Sequence, residues 1–148
     1  MLKKVGAVVA GLIIGSIVNM AIILVSTVMH PMPEGVTFND QEGMKDWIEN
    51  MPASGFVMAL LAHQLGTFAG GIVASLITKQ RWIIGGAIVG AFFLLGGVMT
   101  LFDFAHPTWF AVVDVGLYLP MGVLGAVVGA KLLRPNSNRE QHDSEHST

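Results

Sequence analysis

Four long apolar stretches limit this chain's fold more than any other feature. They run from about 5 to 29, 53 to 78, 82 to 101 and 107 to 132. A bilayer core of ~30 Å takes ~20 mostly apolar residues of helix to cross, and each stretch has that length. Lipid offers no partner to backbone N–H and C=O groups, so a crossing segment must be a helix or part of a closed barrel. The alternating ten-residue pattern of barrel strands is absent. The reading is an all-α polytopic membrane protein with four transmembrane helices. Only 12% of the 148 residues are charged, 53% are hydrophobic, and the mean hydropathy is +0.65. A soluble domain of this size carries about twice that charge.

The remaining pieces hold most of the charge and set an orientation. Lys3 and Lys4 precede the first span, Lys79 and Arg81 lie between the second and third, and Lys131, Arg134 and Arg139 follow the fourth. Lys45 alone falls on the other side. The positive-inside rule then makes both termini cytoplasmic and turns the 30–52 and 102–107 loops outward, in a cell (inner) membrane. Residues 1–29 read as a retained helix rather than a signal peptide. Their apolar run exceeds the usual ~7–15 residues, and no A-x-A-like site follows it. The division expected is a transmembrane domain over 1–134 and a disordered cytoplasmic tail over 135–148, where His142 and His146 stand four apart without a predicted helix to pair them. With no cysteine, disulfides, thiolate metal sites and thiol redox chemistry are excluded. Nothing in the charge pattern suggests nucleic acid.

In the first outer loop, "HPMPEGVTFNDQEGMKDWIENMP", Pro31 and Pro33 end the first helix. Asn39 or Asp40 can cap a new short one, with Glu42 in its first turn. Met44, Trp47, Ile48 and Met51 then share a face at i, i+3, i+4 and i+7. Such an amphipathic helix either lies on the membrane surface with Trp47 at headgroup level or packs as a lid over the helix ends.

Each span carries a G-x-x-x-G pair: Gly11/Gly15, Gly66/Gly70, Gly86/Gly90 and Gly125/Gly129. Glycine lets helix backbones approach, so four such pairs predict a closely packed bundle, with some faces available for a homo-oligomer or another membrane protein. Polar residues share those faces. His63 stands three and seven residues before Gly66 and Gly70, Asn19 stands four after Gly15, and Asp114 lines up with Tyr118, Gly122, Gly125 and Gly129. At ~1.5 Å per residue all three lie ~10–15 Å below the outer helix ends. One cluster is predicted: Asn19, His63 and Asp114, with Gln64 and Tyr118 at its edge. A carboxylate at depth is a functional candidate by default. An Asp/His pair suits proton handling, and the plainer alternative is a clasp that sets helix register.

A second constellation stands near the loop mouths, where "MHP" and "AHP" recur. His30, Glu34, Asp103 and His106 are weak metal candidates. The favoured reading is helix punctuation, with Pro107 as the first residue of the fourth span. No cofactor is expected.

The lysine-led glycine-rich first helix, the 30–52 loop, "AHQLGTFAGGIVASLI" and "HPTWFAVVDVGLYLPMGVLGAVVGAKL" together resemble a group of small, uncharacterised bacterial four-helix integral membrane proteins. The likeness covers most of 1–134 and implies the fold but no activity. Small multidrug transporters and membrane-bound glutathione-metabolising enzymes are of similar size. The chain lacks the Glu in helix one of the former and the Arg-rich helical motif of the latter, so neither function carries over. The sequence therefore predicts a non-enzymatic membrane or accessory component, with an oligomeric proton-linked transporter or channel as the alternative.

Overall fold

A computed structural model describes residues 1–79 and 82–133. The 135–148 tail, with His142 and His146, and Arg81, Arg134 and Arg139 lie outside the described residues. Five helices follow one another: α1 (Leu2–Met29), α2 (Gln41–Glu49), α3 (Ala53–Thr78), α4 (Ile83–Asp103) and α5 (Thr108–Leu132). No strand occurs among the described residues. The helices α1, α3, α4 and α5 are each long and apolar enough to cross a membrane. Pro107 is the N-cap of α5 rather than its first residue, with extended backbone (φ −59°, ψ 139°). Helix ends shift by a residue this way because the first helical N–H groups need no intrahelical partner.

The spans are arranged around α3, which packs along α1, α4 and α5, while α5 also packs along α4. Glycine permits this closeness. A Cβ at Gly11 would stand 2.6 Å from the Gly70 carbonyl oxygen, and one at Gly15 2.6 Å from that of Gly66. The two G-x-x-x-G pairs of α1 and α3 therefore face each other within one chain, backbone against backbone. Burial follows the same logic. The buried positions of α1 are Ala7, Gly11, Gly15 and Ser26, all small, and Ile13, Ile17 and Met20 on its other sides are exposed. Exposed apolar side chains on a helix of this length belong against lipid.

The short helix α2 is capped by Asp40, whose Oδ1 accepts from the Gly43 N–H at 3.1 Å. Asp46, Glu49 and Asn50 are exposed, whereas Met44 is buried. Met44, Trp47, Ile48 and Met51 all line a chamber of about 150 Å³ together with Ile23 of α1 and Phe56 of α3. Of the two placements open from the sequence, α2 takes the lid. Its apolar face closes over the ends of the spans.

At the opposite end, Lys79 terminates α3 in the left-handed region (φ 56°) and its N–H bonds the Leu76 carbonyl. Glycine is the usual residue there, so this turn carries no glycine signal in the sequence.

Candidate functional site

His63 and Gln64 are consecutive residues of α3, and they reach the same carboxylate of α5. The His63 Nδ1 lies 3.1 Å from Asp114 Oδ1 and 3.0 Å from Oδ2. Gln64 Nε2 donates to Oδ1 at 2.9 Å and to the Asp114 backbone carbonyl at 3.3 Å. Tyr118, one turn further along α5, donates its hydroxyl to Oδ2 at 3.0 Å. Both neighbours of Gln64 Nε2 are acceptors, which fixes the amide orientation and leaves Oε1 buried without a partner. Asp114 is 1% exposed. Gln64 and Tyr118 donate to the two oxygens, and the Nδ1–H tautomer of His63 makes a third donor.

The surroundings hold this arrangement in place. Thr67 donates to the His63 carbonyl at 2.7 Å. The His63 ring stacks on Tyr118 with centroids 5.9 Å apart and planes 26° from parallel. The Phe110 ring centroid lies 6.3 Å from that of His63, tilted by 58°. Along α5 the positions 110, 114 and 118 repeat every four residues and form one stripe, so the signal for Phe110 was present as spacing, whereas His106 precedes the helix.

The cluster differs from the expected one. Asn19 was expected at its centre, with Gln64 and Tyr118 at its edge. Gln64 and Tyr118 bond the carboxylate directly, and Asn19 does not. The Gly15/Gly66 crossing explains this, because it sets Asn19 beside Gly66, about 4.5 Å deeper along α3 than His63. The Asn19 Oδ1 is buried and has no hydrogen-bond partner.

The weak metal candidates are each engaged or exposed separately. His30 Nε2 pairs with Ser54 Oγ at 2.9 Å, His106 Nδ1 donates to the Phe104 carbonyl at 2.8 Å, and Asp103 and Glu34 are exposed. No group of three potential metal ligands occurs among the described residues. His30 caps α1, Asp103 ends α4, His106 stands just before the N-cap of α5, and Glu34 lies in the loop between α1 and α2. His106 instead joins an aromatic cluster, stacking on Phe110 (5.2 Å, 13°) and meeting Phe56 edge-on (5.9 Å, 65°).

Burial pushes the His106 pKa below its usual 6.5, opposed by the hydrogen bond to Phe104 and assisted by His63. A lowered histidine pKa means that the folded protein binds fewer protons than the unfolded chain. The stability tied to neutral His106 is thus complete above the unfolded value and declines as pH drops through it. Melting temperatures measured between about pH 7.5 and 5.5 should fall more steeply for the wild type than for His106→Phe, which keeps the ring but has no proton to gain. Parallel slopes would show that another group carries the acid sensitivity.

Two cavities meet at His63. One is the chamber beneath α2, which His106 also lines. The other is a cleft of about 450 Å³ reached by Asn19, Tyr118 and Thr100. His63 itself is 21% exposed, unlike the carboxylate it serves.

These features define a class, an all-helical membrane-type bundle with a buried Asp–His–Gln–Tyr cluster joining two of its spans. The chain matches no known protein family, no curated protein and no solved structure.

Proposed function

We propose that the chain is a multi-pass protein of a cell (inner) membrane, a non-enzymatic membrane or accessory component in which the Asp114 cluster works as a clasp. The supporting observation is the saturation of the carboxylate. Both Asp114 oxygens accept from side chains, two of them on α3, and the group is closed to the cavities. A carboxylate held this way fixes the register of α3 against α5 and has no free edge for a substrate. Lys3, Lys4 and Lys79 stand at one end of the bundle and Lys45 in the lid at the other. That asymmetry supports cytoplasmic termini and an outward-facing lid. The resemblance to small bacterial four-helix membrane proteins fits the same reading.

A second reading rests on His63. Its ring borders both cavities, so a proton path through the lid chamber would pass it. In that case the protein is an oligomeric proton-linked transporter or channel. Purified protein reconstituted into liposomes separates the two. A clasp leaves an imposed pH gradient intact, with or without the Asp114→Asn substitution. Gradient collapse by the wild type, lost in a folded Asp114→Asn variant, would establish transport instead.

A further inference from the structure

The spans α1 and α4 touch only sparsely, and the 450 Å³ cleft lies between them. Its rim is apolar and open. Phe92 lines the cleft while remaining 54% exposed, and Leu95 and Met99 continue that exposed flank of α4. The cleft therefore opens sideways, where a membrane protein meets lipid. Its back is different in character, since His63 and Tyr118 close it and Asn19 and Thr100 stand at its sides.

The donors at that back wall are already engaged. His63 Nδ1–H and the Tyr118 hydroxyl serve Asp114, and the Thr100 hydroxyl serves the Gly96 carbonyl at 2.9 Å. Acceptors remain. With Nδ1 engaged, the ring nitrogen left for a ligand is His63 Nε2, and Asn19 Oδ1 is buried without a partner. The Asn19 amide N–H and the Ser16 hydroxyl are the donors still free to face a guest. A hydroxyl group fits such a wall because it gives one hydrogen bond and takes another. Charged head groups do not fit. No Lys or Arg lines the cleft to meet an anion, and the one nearby carboxylate is sealed and saturated. Phe92 and Phe93 line the cleft and supply aromatic contact for the guest's body.

We infer that the α1–α4 cleft is a binding site for a neutral, lipid-soluble phenol that enters from the bilayer and donates its hydroxyl hydrogen to His63 Nε2. This site rests on the clasp reading, in which Nε2 is left for a guest, because a proton relay through His63 would itself need Nε2; the liposome gradient separates a failure of that reading from a failure of the site.

Gly96 supplies the decisive variant. A Cβ there meets nothing within 4 Å although the residue lines the cleft, so Gly96→Leu fills the space without a backbone collision. Gly116 is equally open and lies outside the cleft, which makes Gly116→Leu the control. The full-length protein in lipid nanodiscs is titrated with 4-nonylphenol and with its methyl ether. Binding is read from the thermal shift and from the histidine ring ¹⁵N signal that His63→Gln removes. The phenol is expected to bind saturably, and the ether roughly tenfold more weakly, the size of one net hydrogen bond. Gly96→Leu is expected to abolish saturation and Gly116→Leu to preserve it. Equal binding of phenol and ether would overturn the assigned hydroxyl contact. Unchanged binding in Gly96→Leu, or a non-saturating shift in every variant, would overturn the site and leave simple partition into lipid.

Discussion

Replacing Asp114 with alanine is expected to lower stability by about 2–4 kcal/mol. The change strands three donors at once, His63 Nδ1–H, Gln64 Nε2 and the Tyr118 hydroxyl, in a site that is otherwise closed. A buried polar group left unsatisfied costs ~1–3 kcal/mol. Two effects reduce the sum. His63 is partly exposed and can find another partner, and polar contacts between membrane helices average only ~0.6 kcal/mol because the unfolded helices find partners too. Asp114→Asn should cost less, since one oxygen still serves His63 and Gln64 while the Tyr118 hydroxyl can rotate and accept. Reversible unfolding in detergent measures both variants. An alanine variant within about 0.5 kcal/mol of wild type would mean that the carboxylate contributes nothing to the fold, and the clasp would have to be abandoned.

Gly122→Leu is expected to prevent assembly of the bundle altogether. Gly122 sits where α3, α4 and α5 converge. A Cβ on it would collide with the Gly86 carbonyl oxygen and stand 3.0 Å from the Gly90 nitrogen and 3.1 Å from its Cα. Its own carbonyl oxygen in turn occupies the space that a Cβ on Gly71 or Gly86 would need. All of these are backbone atoms, which move only if whole helices separate. Even Gly122→Ala should destabilise, by ~1–3 kcal/mol as overpacked cores do. That sign is opposite to the ~1 kcal/mol gain expected from helix propensity alone. Gly116→Ala on the same helix meets open space and should be neutral or mildly stabilising. Size-exclusion profiles and melting temperatures of the pair test the claim. Equal behaviour at 116 and 122 would show that close backbone approach at the junction does not hold these helices together.

The four spans were readable from the chain because lipid imposes a length and a composition that no soluble segment of this size needs to meet. The bounds 53–78 for α3 coincide with the apolar run, and α1 differs mainly by starting at Leu2, since Lys3 and Lys4 at a span's edge can extend the helix into the headgroup region. Glycine spacing likewise marked which faces turn inward, and His63 and Asp114 lie on those faces. Spacing along one helix says nothing, however, about what stands opposite. Asn19 and Tyr118 are equally polar and equally aligned with glycines, yet only Tyr118 reaches the carboxylate. The difference is set by where α1 crosses α3, at Gly15 and Gly66. The shared "HP" dipeptide of His30 and His106 likewise describes a helix boundary, the reading the sequence favoured, and says nothing of what stands across from it.

By itself, then, the sequence determined the number of spans, their lengths and the faces that avoid lipid, all of which are properties of single helices in a solvent that cannot hydrogen-bond. Only the tertiary structure decided that α2 closes over the bundle, that Gln64 and Tyr118 saturate Asp114, and that a cleft separates α1 from α4. Those outcomes depend on crossing points between helices, and a shift of one turn, about 5.4 Å, would replace every partner at the site.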